Sequence, residues 1–167
     1  MAPRSRQTPA RVGFRLDASR LPSDALVLDH QLCFSLYAAS RKVIQLYGPH
    51  LSRLDLTYTQ YITLMALWEH SVLPVKVLGE RLMLDSGTLT PLLKKLEKKG
   101  LVTRRRSSED ERSVLIQITP KGRAIKAAAM GFLPELFCAT CLTPRELVSI
   151  RRLTQKLLQG LQQQEEG

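Results

Sequence analysis

The sequence predicts a mainly α-helical fold with a small β-hairpin. Most apolar residues recur at three- and four-residue spacing, as expected for amphipathic helices. One pair of short alternating or β-branched runs flanks a charged turn, as expected for a hairpin. The chain has 167 residues, of which 44% are hydrophobic, which is enough for one compact domain with helical extensions.

The composition restricts the partners and the compartment. There are 25 Lys and Arg against 15 Asp and Glu, and the net charge of +10 favours a polyanionic partner, with nucleic acid ahead of a membrane surface. No apolar run approaches the roughly 20 residues that a membrane span needs, and the N-terminus lacks the apolar centre of a secretory signal. We therefore expect a cytoplasmic protein without membrane contact. Three cysteines, an odd number, argue against a structural disulfide framework.

The first elements are an arm and a long helix. Residues 1–24 contain five arginines and three prolines without a helical period, which predicts a flexible basic arm. From Ala25 to Tyr47 the pattern predicts a helix of about six turns that ends at Gly48 and Pro49. Its apolar stripe consists of Leu28, Leu32, Leu36, Ala39, Val43 and Leu46.

Three helices are predicted next. Residues 58–70 form a second periodic run, and Pro74 suits the first turn of a short third helix. Asp85 or Ser86 can cap a fourth helix, which we expect to end at Gly100. Pro91 should weaken or bend the first turns of this helix. Its buried stripe is predicted to be Leu89, Leu92, Leu93 and Leu96.

The remaining elements are the hairpin and two more helices. Residues 101–105 and 113–118 predict the two strands, joined by the polar stretch "SSEDERS". Residues 120–138 and 143–161 predict the last two helices. Thr143, followed three residues later by Glu146, forms a capping-box pattern at the start of the second of these.

Two helices with a tight connection, followed at once by a hairpin, form the winged helix-turn-helix pattern, in which the second helix enters the major groove of DNA. Between Lys94 and Arg106 there are seven basic residues and one acid, a net charge of +6 in 13 residues. Short polar side chains are the candidates for base edges, and basic ones are the candidates for phosphates. The predicted DNA-binding residues are Ser86, Thr88, Thr90, Lys94, Lys98, Arg104, Arg105 and Arg106.

The hairpin tip adds two candidates. Arg112 suits a narrow minor groove, whose negative potential attracts guanidinium groups. Asp110, two residues earlier, could orient that side chain by a charge-assisted bond. A turn with surface ion pairs explains the tip equally well. The alternative to DNA binding by the fourth helix is that it is a solvated amphipathic helix with ordinary surface charge.

The stretch "LDSGTLTPLLKKLEKKGLVTRRRSSEDERSVLIQIT" resembles the recognition helix and wing of the multiple antibiotic resistance regulator (MarR) family. The "DERSV" tip resembles the Asp-x-Arg signature of that wing. "QLCFSLY" from Gln31, "TYTQYITLMALWEH" from Thr57 and "LDSGTLTP" are similar to motifs of the organic hydroperoxide resistance regulators within the family. The resemblance covers about residues 28–120 by motif, and the last two helices by topology only.

This resemblance implies a homodimeric repressor that releases operator DNA when an organic hydroperoxide oxidises Cys33. The resemblance does not cover the arm (1–24). For the rest of the chain it implies an N-terminal dimerisation and sensor helix region (25–57), a winged helix-turn-helix domain (58–118) and C-terminal dimerisation helices (119–167). It also implies that Tyr47 and Tyr58 hydrogen-bond the Cys33 thiol from the partner subunit. Tyr37, on the same helix stripe as Cys33, is a third candidate for activating the thiol.

The spacing of the first helix fits this implication. Cys33 and Tyr47 are 14 residues apart, about 21 Å along a helix, so they cannot touch within one chain. If two copies of the helix cross antiparallel near Ser40, each Cys33 comes level with Tyr47 of the partner subunit. A tyrosine hydroxyl that donates to a thiolate favours the nucleophile that attacks peroxide.

The resemblance also suggests the two-cysteine type of regulator, in which a second cysteine closes an intersubunit disulfide with the oxidised sensor. Cys138 lies where that resolving cysteine is expected, and Cys141 is the less favoured candidate. A small external thiol could act instead. The stretch "CATC" could also be a redox or metal pair, but a metal site needs further ligands. We expect no metal and no cofactor.

Two other functions are compatible with parts of the pattern. A MarR-type repressor could respond to a small aromatic ligand, with Cys33 inert. A small thiol peroxidase could use Cys33 for turnover, but this would leave the winged pattern unexplained. We therefore expect a regulator and not an enzyme.

Overall fold

A computed structural model describes residues 24–108, 110 and 113–165, with the side chain of residue 165 excluded. The predicted basic arm, apart from its last residue, and Arg112 lie outside these described residues. The chain divides into two compact units, residues 1–40 and 41–167.

The first unit contains a short 3-10 helix, Leu28–His30, and the beginning of helix α1, Leu32–Arg53. The prediction that one helix starts at Ala25 is therefore wrong. Gln31 has an extended backbone that interrupts the helical path between the two elements. Leu28 and Leu32, which the helical pattern assigned to an apolar stripe, are exposed.

Helix α1 continues through Gly48 and Pro49 to Arg53, so the prediction that it ends at Tyr47 is also wrong. Proline lacks the backbone N–H that would continue the hydrogen-bond ladder, which normally disfavours an interior position. Packing offsets this cost: Leu51 is only 2% exposed, and the His50 ring stacks on Phe132 with centroids 4.9 Å apart. Tertiary contacts thus outweigh the local preference of the sequence.

Helix α2, Tyr58–His70, is confirmed and forms the centre of the core. Thr57 caps it in a capping box with Gln60, in which each backbone N–H donates to the other side chain. Leu64 and Leu67 are completely buried. The Thr63 hydroxyl, also buried, donates to the Thr59 carbonyl at 2.7 Å.

Helices α3, Val75–Leu82, and α4, Ser86–Lys98, follow with a tight turn between them. Pro74 is the N-cap residue of α3, one position before the first turn that was expected. Met83 ends α3 with a left-handed backbone, and the Leu84 N–H donates to the Gly79 carbonyl at 3.0 Å. A side chain at Gly79 would meet the Leu84 carbonyl oxygen at 3.0 Å, so glycine permits this close turn.

Helix α4 agrees with its predicted stripe and ends. The four leucines of the stripe are buried, Asp85 is the N-cap, and Gly100 has a φ of 69° just beyond the end. Pro91 lies inside the helix without ending it.

The sheet has three antiparallel strands in the order β1-β3-β2. The predicted hairpin is confirmed as β2, Val102–Arg106, and β3, Val114–Ile118. The sequence pattern did not predict β1, Val72–Pro74, which pairs with β3 through Leu73 and Ile116. Three residues are too few to show the alternation that identifies a strand.

Two helices complete the chain: α5, Pro120–Ala139, and α6, Pro144–Glu165. The predicted capping box of α6 is confirmed, with the Thr143 N–H donating to Glu146 at 2.8 Å. No residue of α6 whose side chain is described is buried. Its exposed large apolar residues are Val148, Ile150, Leu153, Leu157, Leu158 and Leu161.

Within the described part of the chain, no single helix is long and apolar enough to cross a membrane. α5 and α6 reach that length and composition only as a pair that is bent by 97°.

The start of α5 is joined closely to the end of α4. The Thr119 hydroxyl donates to the Gly100 carbonyl at 2.8 Å and accepts from the Gly122 N–H at 3.0 Å. A Cβ atom on Gly122 would lie only 2.2 Å from the Leu101 carbonyl oxygen, so this approach requires glycine. The Trp68 indole donates to the Gly122 carbonyl at 3.0 Å, which also ties α5 to α2.

Candidate functional site

The N-terminal end of α4 is organised by Asp85. Its carboxylate accepts from the Thr88 N–H at 2.9 Å and from the Thr88 hydroxyl at 2.7 Å. These bonds, the side-chain one first, hold the pKa of Asp85 below its usual 3.8. Thr88, a predicted base-edge residue, therefore also belongs to the helix cap, and the lone pairs of its hydroxyl oxygen remain available as acceptors.

The polar face of α4 lies opposite the buried leucines, as the helical wheel predicts. Ser86, Thr88, Lys94 and Lys98 are exposed, whereas Thr90 is half-buried. The structure thus leaves four of the five α4 candidates open to solvent along one helix. Basic side chains at this spacing can follow a phosphate backbone.

One basic residue near α4 has a structural role instead. The Lys99 ammonium pairs with the Asp55 carboxylate at 3.0 Å and donates to the Asp55 carbonyl. It also lies 3.4 Å from the Gln60 side-chain oxygen. Lys99 therefore joins the end of α4 to the start of α2, and it contributes less to a free basic surface than its charge suggests.

The three arginines of β2 do not share one face. Arg104 lies opposite Ile116 and on the same sheet face as the buried Val102, while Arg105 lies on the other face. Arg105 and Arg106 are exposed, and Arg104 is half-buried. The positive charges of this strand therefore lie on both faces of the sheet.

At the hairpin tip, the described backbone closes around Asp110. Its N–H donates to the Ser107 hydroxyl at 3.4 Å, and its carbonyl accepts from the Ser113 N–H at 2.9 Å. The predicted bond from Asp110 to Arg112 involves a residue outside the described part of the chain.

The second unit contains a cluster of aromatic side chains that includes Tyr47 and Tyr58, two of the tyrosines predicted to activate the thiol. The rings of Tyr47 and Tyr58 are 5.3 Å apart in an edge-on arrangement, and Tyr61 lies 5.7 Å from Tyr47. Phe132 of α5 packs against both Tyr47 and Tyr61. Tyr61 was not among the predicted site residues, although it follows Tyr58 by one helical turn, a spacing that places side chains on one face.

Burial raises the pKa of Tyr47, Tyr58 and Tyr61 above 10.0. Repulsion by Tyr58 adds to this at Tyr47, and repulsion by both neighbours adds to it at Tyr61. The three hydroxyls therefore stay protonated at neutral pH and can act as hydrogen-bond donors. A groove of about 290 Å³ opens beside Tyr47 and Tyr61, lined also by Met65, Trp68 and Met130.

The three cysteines are free and exposed. Cys33, the second residue of α1, and Tyr37, one turn further and also exposed, belong to the first unit. Cys138 lies in the last turn of α5. It lines an apolar groove of about 600 Å³ with Phe137, Leu142, Pro144, Leu147, Val148 and Arg151.

Cys141 follows the end of α5 with a left-handed backbone, φ 56°. Among the described residues, no group of three or more His, Cys, Asp or Glu side chains is placed to hold a metal ion.

Comparison with known proteins places this arrangement among bacterial regulators. A family model described as "Transcriptional regulator SarA/Rot" matches residues 45–129. The organic hydroperoxide resistance transcriptional regulator of Bacillus subtilis (strain 168) is 46% identical over 140 residues, which cover 84% of this chain and 95% of that regulator.

Two solved proteins share the fold. AbfR of Staphylococcus epidermidis is 34% identical with a TM-score of 0.69, and the match covers 84% of this chain and 95% of AbfR. AbfR has also been solved bound to DNA, both reduced and overoxidised. A mutant MarR from E. coli, complexed with operator DNA, is 28% identical with a TM-score of 0.70, covering 76% of this chain and 93% of that one.

Proposed function

The chain belongs to the organic hydroperoxide resistance regulators of the MarR family, and from this premise we propose that it is a redox-sensing repressor that an organic hydroperoxide releases from operator DNA. The observation that carries the proposal is the exposed polar and basic face of α4, presented by a tight helix-turn-helix beside a β-hairpin. This is the arrangement by which winged proteins insert a helix into the major groove.

We assign the DNA contacts by side-chain chemistry. Ser86, Thr88 and Thr90 approach base edges at the start of α4, and Lys94 and Lys98 contact phosphates further along. The wing contributes Arg104, Arg105, Arg106, Asp110 and Arg112. Because the β2 arginines alternate between two faces, we expect unequal contributions from them, with the exposed Arg105 and Arg106 ahead of Arg104.

We propose that two copies form the active protein through residues 25–57 and 119–167. α6 supports this, because none of its apolar side chains is buried within the described part of the chain and six large ones are exposed. A homodimer would bury this face and place two copies of α4 about one turn of DNA apart, roughly 34 Å.

Sensing would begin at Cys33. The thiolate attacks the outer oxygen of the hydroperoxide, the O–O bond breaks, and Cys33 becomes a sulfenic acid while an alcohol leaves. The protonated hydroxyls of Tyr47 and Tyr58, from the partner subunit, would stabilise the thiolate by hydrogen bonding, with Tyr37 as a further candidate. The raised pKa values of Tyr47 and Tyr58 support their role as donors.

Resolution would follow by condensation with a thiol. Cys138 of the partner subunit attacks the sulfenic sulfur, water leaves, and an intersubunit disulfide forms. Cys141 or a small external thiol is the alternative resolving group. Overoxidised AbfR is found on DNA, and we therefore assign release to disulfide formation instead of to oxidation of Cys33 as such.

The decisive experiment measures DNA affinity and intact mass on the same sample. A duplex selected from a random library by the reduced protein serves as the operator. Directly after one equivalent of cumene hydroperoxide is added, binding should be weakened about 10³-fold or more, towards the non-specific level, and a covalent dimer should be present. Cys33→Ser should bind equally well with and without the oxidant.

Two outcomes would favour the other functions. If peroxide leaves wild-type affinity unchanged, a repressor that responds to a small aromatic ligand is the better description, and the groove beside Tyr47 and Tyr61 is the place to look for that ligand. If the protein consumes peroxide steadily in the presence of a reductant, it is a thiol peroxidase.

A further inference from the structure

Two cysteines stand at the end of α5 with the spacing Cys-x-x-Cys. Cys138 lies in the last helical turn, Thr140 is the C-cap, and Cys141 follows it directly. We propose that Cys138 and Cys141 form a dithiol pair that closes a disulfide within one chain, and that this closure displaces the intersubunit disulfide to Cys33. The disulfide between Cys138 and Cys141 does not depend on the proposed function, whereas the displacement step rests on it.

The backbone already brings the two residues into range. Ala139 is the last residue of α5, and Thr140 has φ −74° and ψ −16°, so both keep a helical conformation. Residues three apart in a helix have Cα atoms about 5 Å apart. Disulfides commonly join Cα atoms that are about 4.4–6.8 Å apart. The Cys141 N–H donates to the Cys138 carbonyl at 3.2 Å, which fixes this turn.

The conformation of Cys141 is an independent observation. Its left-handed backbone, φ 56°, occupies the position after a helix where glycine is the usual residue. α4 has glycine in that conformation, at Gly100. Residues with a Cβ atom are disfavoured in this conformation, so the backbone geometry does not explain why a cysteine occupies this position. What it contributes is a second exposed thiol beside Cys138.

The exchange step balances without a further oxidant. Once Cys138 is joined to Cys33 of the partner subunit, the Cys141 thiolate attacks the Cys138 sulfur. The bond between the subunits breaks, Cys33 leaves as a thiolate, and a Cys138–Cys141 disulfide forms. Cys33 takes up the proton that Cys141 has lost. One disulfide is consumed and one is formed.

Cys141 has an advantage over a thiol from solution. It is three residues from its target, so its attack is intramolecular and proceeds at a high effective concentration. The covalent link between subunits would then be transient. Cys33 would return to its reduced form, while the oxidising equivalent remains at the end of α5 until a reductant removes it.

The first test examines the pair without Cys33 and without peroxide. Full-length Cys33→Ser is oxidised with diamide, alkylated and digested with trypsin, which leaves both cysteines in one peptide, residues 127–145. We expect that peptide to be lighter by two hydrogen atoms and to carry no alkyl group. The double variant Cys33→Ser, Cys141→Ser should be alkylated at Cys138. Alkylation of both cysteines in oxidised Cys33→Ser would overturn the pairing, whatever the fate of the proposed function.

The second test follows the exchange on non-reducing gels after one equivalent of cumene hydroperoxide. In Cys141→Ser the covalent dimer should persist at least about tenfold longer than in the wild type, because the tethered thiol is missing. In the wild type, loss of the dimer should coincide with the lighter peptide and with a Cys33 that can again be alkylated. Equal lifetimes would overturn the exchange while leaving the proposed function intact. Absence of a covalent dimer from Cys141→Ser would overturn both the exchange and the resolving role of Cys138.

Discussion

Gly122 shows how much one residue determines in this fold. Its missing side chain lets the first turn of α5 approach Leu101, where a Cβ atom would lie 2.2 Å from a backbone oxygen. Its carbonyl also accepts the Trp68 indole N–H. Because a backbone oxygen cannot move aside as a flexible side chain can, α5 itself would have to shift if this residue were larger.

We therefore expect Gly122→Ala to lower the free energy of unfolding by about 1–3 kcal/mol, through overpacking against backbone. Urea denaturation followed by circular dichroism measures this. Gly131→Ala in the same helix is the matched control, because nothing lies within 4 Å of its added Cβ. That control should be neutral or stabilising by up to about 1 kcal/mol. Equal destabilisation by the two variants would contradict the steric explanation.

Lys98 and Lys99 are neighbours in sequence with different tasks. Lys99 is held by Asp55, whereas Lys98 is exposed on α4. On the proposed function, Lys98→Gln should reduce the slope of log affinity against log salt by about 0.9, since one phosphate contact is lost. Fluorescence anisotropy at several salt concentrations measures the slope. The exposed Lys126→Gln on α5 should leave it unchanged, and an unchanged slope in Lys98→Gln would exclude Lys98 as a phosphate contact.

At the scale of elements, the ends of α4 depend on local chemistry that the sequence displays. Asp85 followed by Thr88, and Gly100 after the last turn, are recognisable because capping needs particular side chains at particular positions. The ends of α1 are different. Pro49 predicts an end that does not occur, because His50 stacks on Phe132, which is distant in sequence, and Leu51 belongs to the buried core.

The N-cap of α4 gives a prediction for pH. Because the pKa of Asp85 is lowered in the folded protein, its charge contributes stability above the usual pKa of 3.8, and this is lost as the pH falls through the folded value. Asp85→Asn keeps a capping oxygen and removes the charge. The stability advantage of the wild type over Asp85→Asn should therefore be constant above about pH 5 and shrink as the pH falls below 3.8 and through the lower folded pKa. Urea denaturation at each pH measures this difference, and a constant difference would contradict the charged cap.

Some parts of the candidate site can be predicted from the sequence and others cannot, because some depend on local pattern and others on long-range contacts. The polar face of α4 follows from the leucine period, and the structure agrees with it. The third strand, β1, and the contacts of Phe132 with the tyrosines are not predictable from pattern, because they depend on long-range pairing. The separation of the β2 arginines is implicit in strand alternation, but a count of charges conceals it.

At the scale of the whole molecule, α6 presents six exposed large apolar residues in the described part of the chain. On the proposed function, a second copy of the chain covers this face. Leu153→Glu should therefore yield monomers at concentrations where the wild type is dimeric, because a carboxylate would be buried in an apolar interface. Analytical ultracentrifugation measures the change.

Gln155→Glu is the control for Leu153→Glu, since it introduces the same charge about half a helical turn away, on the polar side of α6. It should remain dimeric. If Leu153→Glu also remains dimeric, α6 is not the principal contact between subunits.

The joint between α5 and the DNA-binding helices has a mechanical consequence. Thr119, Gly122 and Trp68 hold one end of α5, and Cys138 stands near the other, in a helix of 20 residues, about 30 Å long. A displacement of the Cys138 end therefore rotates α5 about its attached end, beside α4. A shift of about 3 Å at Cys138 corresponds to a rotation of about 6° about that end. Gly131 and Pro134 already lie between these two ends, so the stiffness of α5 at these residues would decide how much of a displacement at Cys138 reaches α4.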